Sequence, residues 1–316
     1  MKKQISVIGG INIDIKGVAD SGKSAGDSYK GKVRFTPGGV ARNIAENLAR
    51  LGMKVYLFGT TGDDYFGNFV IRETKSSGVK TEFINKCASI ETAKYLSVSS
   101  EANKIFYAVN DMSESSGKTN LKYIRSVKTI LENSSMIVMD ANLKKDVIEE
   151  ITKLSDRKQI PVFADAVSSE KAIVFKNSMR KIEYLSVNEN EFISIFGKNN
   201  ISTVFKNKKQ REVFQNFGHI LLKKGSSGVS LIETANRTVT KCKALKTKIA
   251  EPNGAGDSFN AGFIFGLMNG YSKEEAIRMG TCASYLTLRT IKSVSEEINS
   301  KKITELFHKK SGSNEF

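Results

Sequence analysis

The sequence EPNGAGDSFNAG occupies residues 251–262 and continues into an apolar segment that ends at Met268. Proline cannot sit inside a helix, so this pattern predicts a helix that begins after Pro252, with Asn253 as its N-cap. The main-chain N–H groups of Gly254, Ala255 and Gly256 would then lie at the positive end of the helix. Such groups form an anion site, and the small side chains let a phosphate come close.

Asp257 follows directly after these three amides. A carboxylate beside an anion site repels the anion, so its presence indicates a second task. It suits a general base that takes a proton from a hydroxyl group attacking phosphorus. The alternative is an ordinary capped helix with an acidic residue in its first turn, and short glycine motifs also arise by chance.

A second glycine turn occurs much earlier, where residues 37–52 read PGGVARNIAENLARLG. The pattern predicts a turn at Gly38 and Gly39 followed by an amphipathic helix that ends at Gly52. The two glycines let the backbone approach a ligand closely, and Asn43 in the first turn would face the same ligand.

Strand and helix patterns alternate along most of the chain. This alternation predicts a single α/β domain over residues 1–316, with a doubly wound, mostly parallel central sheet flanked by helices. Three segments interrupt it, at about 11–18, 32–36 and 92–112, and we expect them to form a small separate β-sheet that acts as a lid. Ligands of such folds bind outside the carboxyl ends of the parallel strands.

Polar residues at strand ends are candidates for ligand contacts. Asn12 and Asp14 share one face of an extended segment, where they would hold the hydroxyls of a polyol; the alternative is the polar face of a half-exposed strand. Asn188 and Glu191 lie three residues apart at a helix start, and Asp165 ends another strand. Asn188 and Glu191 would hold a hydrated Mg²⁺, or they form a helix-capping pair.

The segment from Lys223 to Gly228 reads KKGSSG, a strand end followed by a Gly-x-x-Gly turn. The turn at Gly225 and Gly228 could lie over a nucleotide, with Lys223 or Lys224 near its phosphates. The alternative is an ordinary hairpin with surface lysines.

The net charge of +16 indicates either an anionic partner or a lysine-rich surface. The lysines are dispersed, and no aromatic RNA-binding platform, helix-turn-helix pattern or basic stripe is evident, so we expect no nucleic-acid partner. There is no apolar run of 18 residues and no signal peptide, so we expect no membrane partner. Three scattered cysteines indicate reduced thiols in a cytoplasmic protein.

Together these motifs resemble the ribokinase-like (PfkB) family of carbohydrate kinases. Residues 37–45 with 50–52 resemble its N-terminal signature, and residues 253–262 its C-terminal signature. Asn188 with Glu191 is similar to its N-x-x-E element, and residues 224–228 to its nucleotide-loop strand. The resemblance spans about residues 4–290 in the expected order.

Three stretches are similar to the subgroup of this family that acts on pseudouridine. They are residues 31–49, residues 109–112 (VNDM) and residues 163–168 (FADAVS). The resemblance therefore implies phosphorylation of the 5′-hydroxyl of pseudouridine. The alternative within the family is a kinase of another sugar or nucleoside, such as ribose or adenosine. The presence of Asp257 argues against a catalytically inactive ligand sensor.

The resemblance also implies roles for single residues. Asp257 would be the base, and the amides of Gly254, Ala255 and Gly256 would stabilise the transferring phosphoryl group. The sugar would be held by Asn12, Asp14, Gly38, Gly39 and Asn43, and the nucleobase of the substrate would face Asn110. ATP would lie against Asn188, Lys223, Gly225, Gly228 and Gly256, with Mg²⁺ held through water by Glu191 and Asn188. The lid would close to exclude water, and two copies would pair through it as a homodimer.

Two departures from the family pattern concern cofactor contacts. The usual Asp-Thr before the anion site is Glu251-Pro252 here, so a hydroxyl is missing and activation by K⁺ is in doubt. Lys223 stands where a small hydroxyl residue is often found in the family, so we expect a different ATP contact there.

Overall fold

Strands and helices alternate along most of the chain in the computed structural model, which describes residues 3–20, 28–100, 105–177, 181–198, 203–204, 207–313 and 315–316. Its strands are β1 (Gln4–Ile8), β2 (Asn12–Ala19), β3 (Gly31–Gly38), β4 (Lys54–Gly62), β5 (Ile84–Cys87), β6 (Lys94–Ser100), β7 (Ile105–Asp111), β8 (Met136–Asp140), β9 (Val162–Asp165), β10 (Ile182–Asn188), β11 (Phe217–Lys223), β12 (Val229–Glu233) and β13 (Thr238–Cys242). Its α-helices are α1 (Val40–Arg50), α2 (Tyr65–Ser76), α3 (Ser113–Lys118), α4 (Leu121–Ser126), α5 (Lys128–Glu132), α6 (Lys145–Lys158), α7 (Glu189–Phe196), α8 (Lys208–Phe214), α9 (Ala255–Met268), α10 (Lys273–Leu288) and α11 (Ser300–Gly312).

The central sheet has nine strands among the described residues, in the order β13-β12-β11-β10-β9-β8-β1-β4-β5. The strands from β11 to β5 pair in parallel, and β12 and β13 are antiparallel. The predicted doubly wound, mostly parallel sheet is confirmed. Because β1 lies between β4 and β8, the strand order reverses there, and the carboxyl ends of β1 and β8 meet where ligands bind in this class of sheet.

The core lies on both faces of this sheet. Side chains alternate along each strand, so Ile5 and Val7 of β1 belong to one apolar cluster and Ile8 belongs to the other. The first cluster includes residues of α1, α9, α10 and α11, and the second includes residues of α6 and α7. Helices therefore cover both faces, which explains why the central strands are apolar almost throughout.

A second sheet, ordered β3-β2-β6-β7, is separate from the central one, and we call it the lid sheet. The segments predicted at about 11–18, 32–36 and 92–112 supply its strands. The turn expected near residues 101–103 lies outside the described residues. The lid sheet begins only four residues after β1 ends, so it is joined directly to the switch point.

The two faces of the lid sheet differ in chemistry. Strand register aligns one apolar row across the sheet, consisting of Phe35, Ile15, Leu96 and Val109. It aligns a polar row on the opposite face, consisting of Thr36, Asp14, Tyr95 and Asn110. Lys16 lies on the polar face and contacts Glu251, in the turn before α9. The polar face is therefore turned towards the start of α9.

All three cysteines are free. Among the helices within the described part of the chain, none has the combination of length and apolar character needed to cross a membrane.

Candidate active site

Helix α9 begins at Ala255, and its N-cap is Gly254, so the prediction of Asn253 as N-cap is wrong by one residue. Gly254 has a φ of 83°, a left-handed conformation that favours glycine. A Cβ atom at this position would lie 1.9 Å from the carbonyl oxygen of Ser293. The neighbouring backbone therefore requires glycine at the helix start, and this requirement decides where the helix begins.

The amides at this helix start are not equivalent. The N–H of Ala255 is directed at the carbonyl oxygen of Pro252, at 3.4 Å. The N–H groups of Gly254, Gly256 and Asp257 have no backbone acceptor within the described residues. The site predicted at Gly254, Ala255 and Gly256 is therefore better described by Gly254, Gly256 and Asp257, with Ala255 partly used in the turn.

Asp257 lies in the first turn of α9 and is 9% exposed. Its Oδ2 accepts a hydrogen bond of 2.8 Å from Nδ2 of Asn43, in the first turn of α1. The N–H of Asn43 donates to the carbonyl oxygen of Gly39 at 2.8 Å. The structure therefore brings the two glycine turns, which are more than 200 residues apart in sequence, to the same place.

The environment of Asp257 changes its acidity. Burial raises the pKa of Asp257 to about 7, and the nearby carboxylate of Asp165 adds to the increase. The hydrogen bond from Asn43 and the ammonium of Lys223 lower this pKa and limit the increase. A carboxylate with a pKa near neutrality is suited to act as a general base at physiological pH.

Arg42 orients Asn43, a role that the sequence reasoning missed. Its Nη1 donates to Oδ1 of Asn43 at 2.8 Å and to the carbonyl oxygen of Pro37 at 3.2 Å. Its guanidinium is buried and paired with Glu46. Because Oδ1 of Asn43 accepts from Arg42, the amide must turn its Nδ2 towards Asp257. Burial lowers the pKa of Arg42 to about 10, so it keeps its charge at neutral pH.

The predicted sugar-binding residues lie beside this pair of turns. Nδ2 of Asn12 donates to Oδ1 of Asp14 at 2.8 Å, and a Cβ atom on Gly38 would lie 2.2 Å from the same Oδ1. Gly39 has a φ of 100° and packs against the carbonyl oxygen of Gly10. Asn12 is buried, and its Oδ1 has no hydrogen-bond partner within the described residues, so an unsatisfied acceptor lies next to Asp14.

Asp140, at the carboxyl end of β8, is a second residue that the sequence reasoning missed. Its buried carboxylate accepts hydrogen bonds from the main-chain N–H groups of Gly10 (2.9 Å), Ala41 (3.0 Å) and Asn142 (2.9 Å). Burial raises its pKa. Asp140 therefore ties the end of β1 to the start of α1, where no side chain of the helix itself caps the N-terminus. Its position at a strand end was the only available signal in the sequence.

Asn110 lies farther from Asp257 and Asn43 along the lid sheet than the predicted sugar-binding residues do. It lies on the polar face of the lid sheet, beside Tyr95 and two strands away from Asp14, and it is exposed. Tyr95 lies between them, closer to the sugar-binding residues. Burial raises the pKa of Tyr95, and the carboxylates of Asp14 and Glu251 add to this effect. Strand alternation could have identified Tyr95 had the register been known.

A cavity of about 470 Å³ opens beside the start of α9. Four of the residues predicted to contact ATP are among those that line it: Lys223, Gly225, Gly228 and Gly256. Asn188, the fifth, is not among the lining residues. The remaining walls are mainly apolar and include Val229, Leu245, Ile249, Phe259 and Leu288. Such walls suit a planar ring, and the start of α9, where the sequence predicts a phosphate site, borders the same cavity.

Lys223 connects this cavity to the centre of the site. Its Nζ donates to Oδ2 of Asp165 at 3.0 Å, and Nδ2 of Asn260 donates to the same oxygen at 2.7 Å. Burial alone would lower the pKa of Lys223, but the carboxylates of Asp165 and Glu191 outweigh it and the pKa is raised. The ammonium lies about 3.3 Å from where a Cβ atom on Gly256 would be. A fixed positive charge therefore stands beside the helix start.

Asn188 and Glu191 form a capping box at the start of α7. Oε2 of Glu191 accepts from the N–H of Asn188 at 2.8 Å, and Oε1 accepts from its Nδ2 at 2.6 Å. Both carboxylate oxygens are therefore engaged, and Glu191 is buried. The described residues contain no cluster of three or more His, Cys, Asp or Glu side chains suited to a metal ion. Oδ1 of Asn188 in turn accepts from the N–H of Glu191 at 2.9 Å, so the structure shows the alternative, a helix-capping pair, and a water-mediated contact to Mg²⁺ stays a prediction.

The residues before α9 do not fit a potassium site built on their side chains. Oε2 of Glu251 accepts from Nζ of Lys16 at 3.3 Å, and Oε1 accepts from the N–H of Asn253 at 3.1 Å. The carboxylate is thus already paired with an ammonium group. Pro252 supplies no side-chain oxygen.

Comparisons with known proteins identify the family of the chain. The family model described as "pfkB family carbohydrate kinase" matches residues 2–297. Pseudouridine kinase of Escherichia coli (strain K12) is 29% identical over 295 residues, which cover 91% of each chain. Ribokinase of Bacillus subtilis (strain 168) is 23% identical and covers 90% of this chain and 93% of its own. The structure of Arabidopsis thaliana ribokinase complexed with ribose and ATP superposes with a TM-score of 0.79 at 18% identity, covering 97% of this chain and 99% of that one.

Proposed function

The chain belongs to the pfkB family of carbohydrate kinases, which are phosphotransferases acting on hydroxyl groups, and on this premise we propose that it phosphorylates the 5′-hydroxyl of pseudouridine with ATP. The observation that carries the proposal is the contact of Asp257 with Asn43. It places a carboxylate of raised pKa between the helix start of α9 and the residues expected to hold the sugar.

The nucleoside part of the proposal is supported by the lid sheet and by the similarity to the Escherichia coli pseudouridine kinase. Asn110 and Tyr95 lie in one row with Asp14 on the polar face. An amide presents both a donor and an acceptor, which matches the N–H and C=O groups of a uracil ring. A free sugar offers no such ring edge, and these two side chains would then bond only to water.

The positions of the side chains support the following reaction. Asn12, Asp14 and Asn43 hold the ribose so that its 5′-hydroxyl lies against Asp257. The carboxylate takes the hydroxyl proton as the oxygen attacks the γ-phosphorus, and the bond from that phosphorus to the β–γ bridging oxygen breaks to release ADP. The amides of Gly254, Gly256 and Asp257 and the ammonium of Lys223 stabilise the charge on the transferring group.

Magnesium, when bound with ATP, neutralises phosphate charge. Glu191 and Asn188 would contact its water shell through the oxygen lone pairs that the capping box leaves free. This assignment rests on oxygen-donor chemistry, since Mg²⁺ prefers oxygen ligands and retains water.

The second candidate function is phosphorylation of another ribosyl or sugar acceptor. The similarity to ribokinase of Bacillus subtilis favours it, because the residues around Asp257, Asn12 and Asp14 would serve ribose equally well. The two candidates differ only in whether the polar face of the lid sheet contacts a base.

The test is an acceptor panel with ATP and Mg²⁺: pseudouridine, uridine, adenosine and ribose, with products separated by chromatography. We expect pseudouridine to give a 5′-monophosphate with the highest kcat/KM, by at least about tenfold. Phosphorylation of ribose, uridine or adenosine without pseudouridine would disprove the narrow proposal and leave the kinase assignment intact. The Asp257→Asn variant should bind substrates and lose about 10²–10⁴ of the turnover, the usual contribution of a general base.

A further inference from the structure

Two parts of the site with different tasks meet at an ion pair, in addition to the hydrogen bond between Asn43 and Asp257. Lys16 belongs to β2, on the polar face of the lid sheet, and Glu251 belongs to the turn that precedes α9. Nζ of Lys16 and Oε2 of Glu251 are 3.3 Å apart, and the two side chains are only 15% and 16% exposed. The contact therefore joins the acceptor side of the cleft to the phosphate side.

The carboxylate of Glu251 is used twice. While Oε2 accepts from Lys16, Oε1 accepts from the N–H of Asn253 at 3.1 Å. Asn253 directly precedes Gly254, whose left-handed backbone is packed against Ser293. The orientation of Glu251 is thus linked to the conformation of the turn that aims the N–H groups of Gly256 and Asp257.

The charges around the pair add to this coupling. The carboxylates of Asp14 and Glu251 both lie close enough to Tyr95, on the polar face of the lid sheet, to raise its pKa in addition to the effect of burial. The ammonium group of Lys16 lies near both carboxylates, and it lowers the pKa of Asp14. Arg42 also acts on Asp14, but Lys16 is the cation in contact with Glu251, so its removal would leave the repulsion between Glu251 and Asp14 less compensated.

We propose that Lys16 and Glu251 are positioning residues that couple the lid sheet to the phosphate-binding turn, so that the turn is held in its productive conformation only when the lid sheet covers the acceptor. This inference rests on the proposed kinase function. It means that ATP is protected from water attack until an acceptor has brought the lid sheet into place, and that the ammonium of Lys16 supplies the positive charge at this turn.

The experiment compares Lys16→Met, Lys16→Arg, Glu251→Gln and the double variant Lys16→Met/Glu251→Gln. Glutamine keeps an acceptor for the N–H of Asn253 and removes only the charge. The matched control is Lys94→Met, since Lys94 is also a lid-sheet lysine paired with a glutamate, Glu91, but lies in register with Ile13 on the opposite face. For each protein we would measure acceptor KM, kcat and the ratio of acceptor-independent ATP hydrolysis to phosphoryl transfer.

We expect Lys16→Met and Glu251→Gln each to raise the acceptor KM about tenfold and to raise the hydrolysis ratio several-fold. Lys16→Arg should stay within about threefold of the parent protein, and the double variant should be no worse than either single variant, because both act through one contact. Lys16→Met behaving like Lys94→Met, or a multiplicative loss in the double variant, would overturn the inference. Failure of the proposed function would appear separately, as a parent protein that phosphorylates no acceptor in the panel.

Discussion

At the scale of single residues, Asp257 shows how function opposes stability. A carboxylate whose folded-state pKa is raised from 3.8 to about 7 binds its proton more tightly in the folded chain than in the unfolded chain. Its contribution to stability is therefore fully present below about pH 4 and is lost as the pH rises through 7. The proposed reaction explains why the protein keeps a destabilising group, since that reaction needs a base buried beside the transferred phosphoryl group.

Replacing Asp257 with Asn should consequently stabilise the folded protein at pH 8. The pKa shift corresponds to on the order of 4 kcal/mol at most, since each pKa unit is worth about 1.4 kcal/mol. The variant and the parent protein should unfold at more similar denaturant concentrations at pH 5 than at pH 8. An equal increase in the free energy of unfolding at the two pH values would show that the charge of Asp257 is not the cause of the stabilisation.

Asn43 should control the pH dependence of the reaction. Its hydrogen bond lowers the pKa of Asp257, so the Asn43→Ala variant should raise that pKa further. The acid limb of the kcat/KM profile, expected near pH 7 in the parent protein, should then move to higher pH. The pH at which the acid limb falls is the quantity to measure. The overall rate is not informative, because the variant also loses a proposed sugar contact and should be slower at every pH. An unmoved limb would contradict this assignment of the titrating group.

At the scale of elements, the start of α9 is fixed by steric demand as well as by sequence preference. Gly254 and Gly270 have almost the same φ, 83° and 84°, but a Cβ atom on Gly270 would meet nothing within 4 Å. The Gly270→Ala variant therefore isolates the cost of the left-handed conformation, about 1–2 kcal/mol. Gly254 has the additional contact with the backbone of Ser293.

The Gly254→Ala variant should lower the free energy of unfolding by about 1–3 kcal/mol more than Gly270→Ala does, because the backbone must move to relieve the overlap. It should also lose most phosphoryl transfer, whereas Gly270→Ala should retain it. Chemical denaturation and the acceptor assay measure the two effects. Equal destabilisation by both substitutions would show that Ser293 moves aside readily.

The turn before α9 also predicts the response to monovalent cations. Since Glu251 is paired with Lys16 and Pro252 lacks a side-chain oxygen, kcat/KM should differ by less than about twofold between K⁺, Na⁺ and tetramethylammonium at equal ionic strength. A strong activation by K⁺ alone would place a cation at this turn despite the ion pair.

At the scale of the whole molecule, the lid sheet presents an apolar face to solvent. Val33, Phe35, Leu96, Tyr107 and Val109 lie on it in register and are between 41% and 74% exposed. Contiguous exposed apolar surface of this kind marks an interaction surface. We propose that two copies of the chain pair through this face, which would also stiffen each lid sheet.

Light scattering coupled to size exclusion should therefore find a dimer at micromolar concentration, and Val109→Asp should convert it to a monomer. The matched control is Val239→Asp, since Val239 is an exposed valine, 40% accessible, on the edge strand β13 of the central sheet. A monomeric parent protein, or a dimer that survives Val109→Asp, would count against the lid-sheet interface.

The sequence by itself determined the alternation of strands and helices, the glycine turns at residues 38 and 254, and the acidic residue after the second turn. These features depend on local backbone preference and hydrophobic period, which can be read from neighbouring residues. The tertiary structure decided which distant groups meet: Asp257 with Asn43, Asp140 with Gly10 and Ala41, and Lys16 with Glu251. It also decided that the N-cap of α9 is Gly254 and not the predicted Asn253, because Ser293 leaves no room for a Cβ atom at residue 254. These contacts depend on strand order, register and burial, and those are set by the packing of the whole chain.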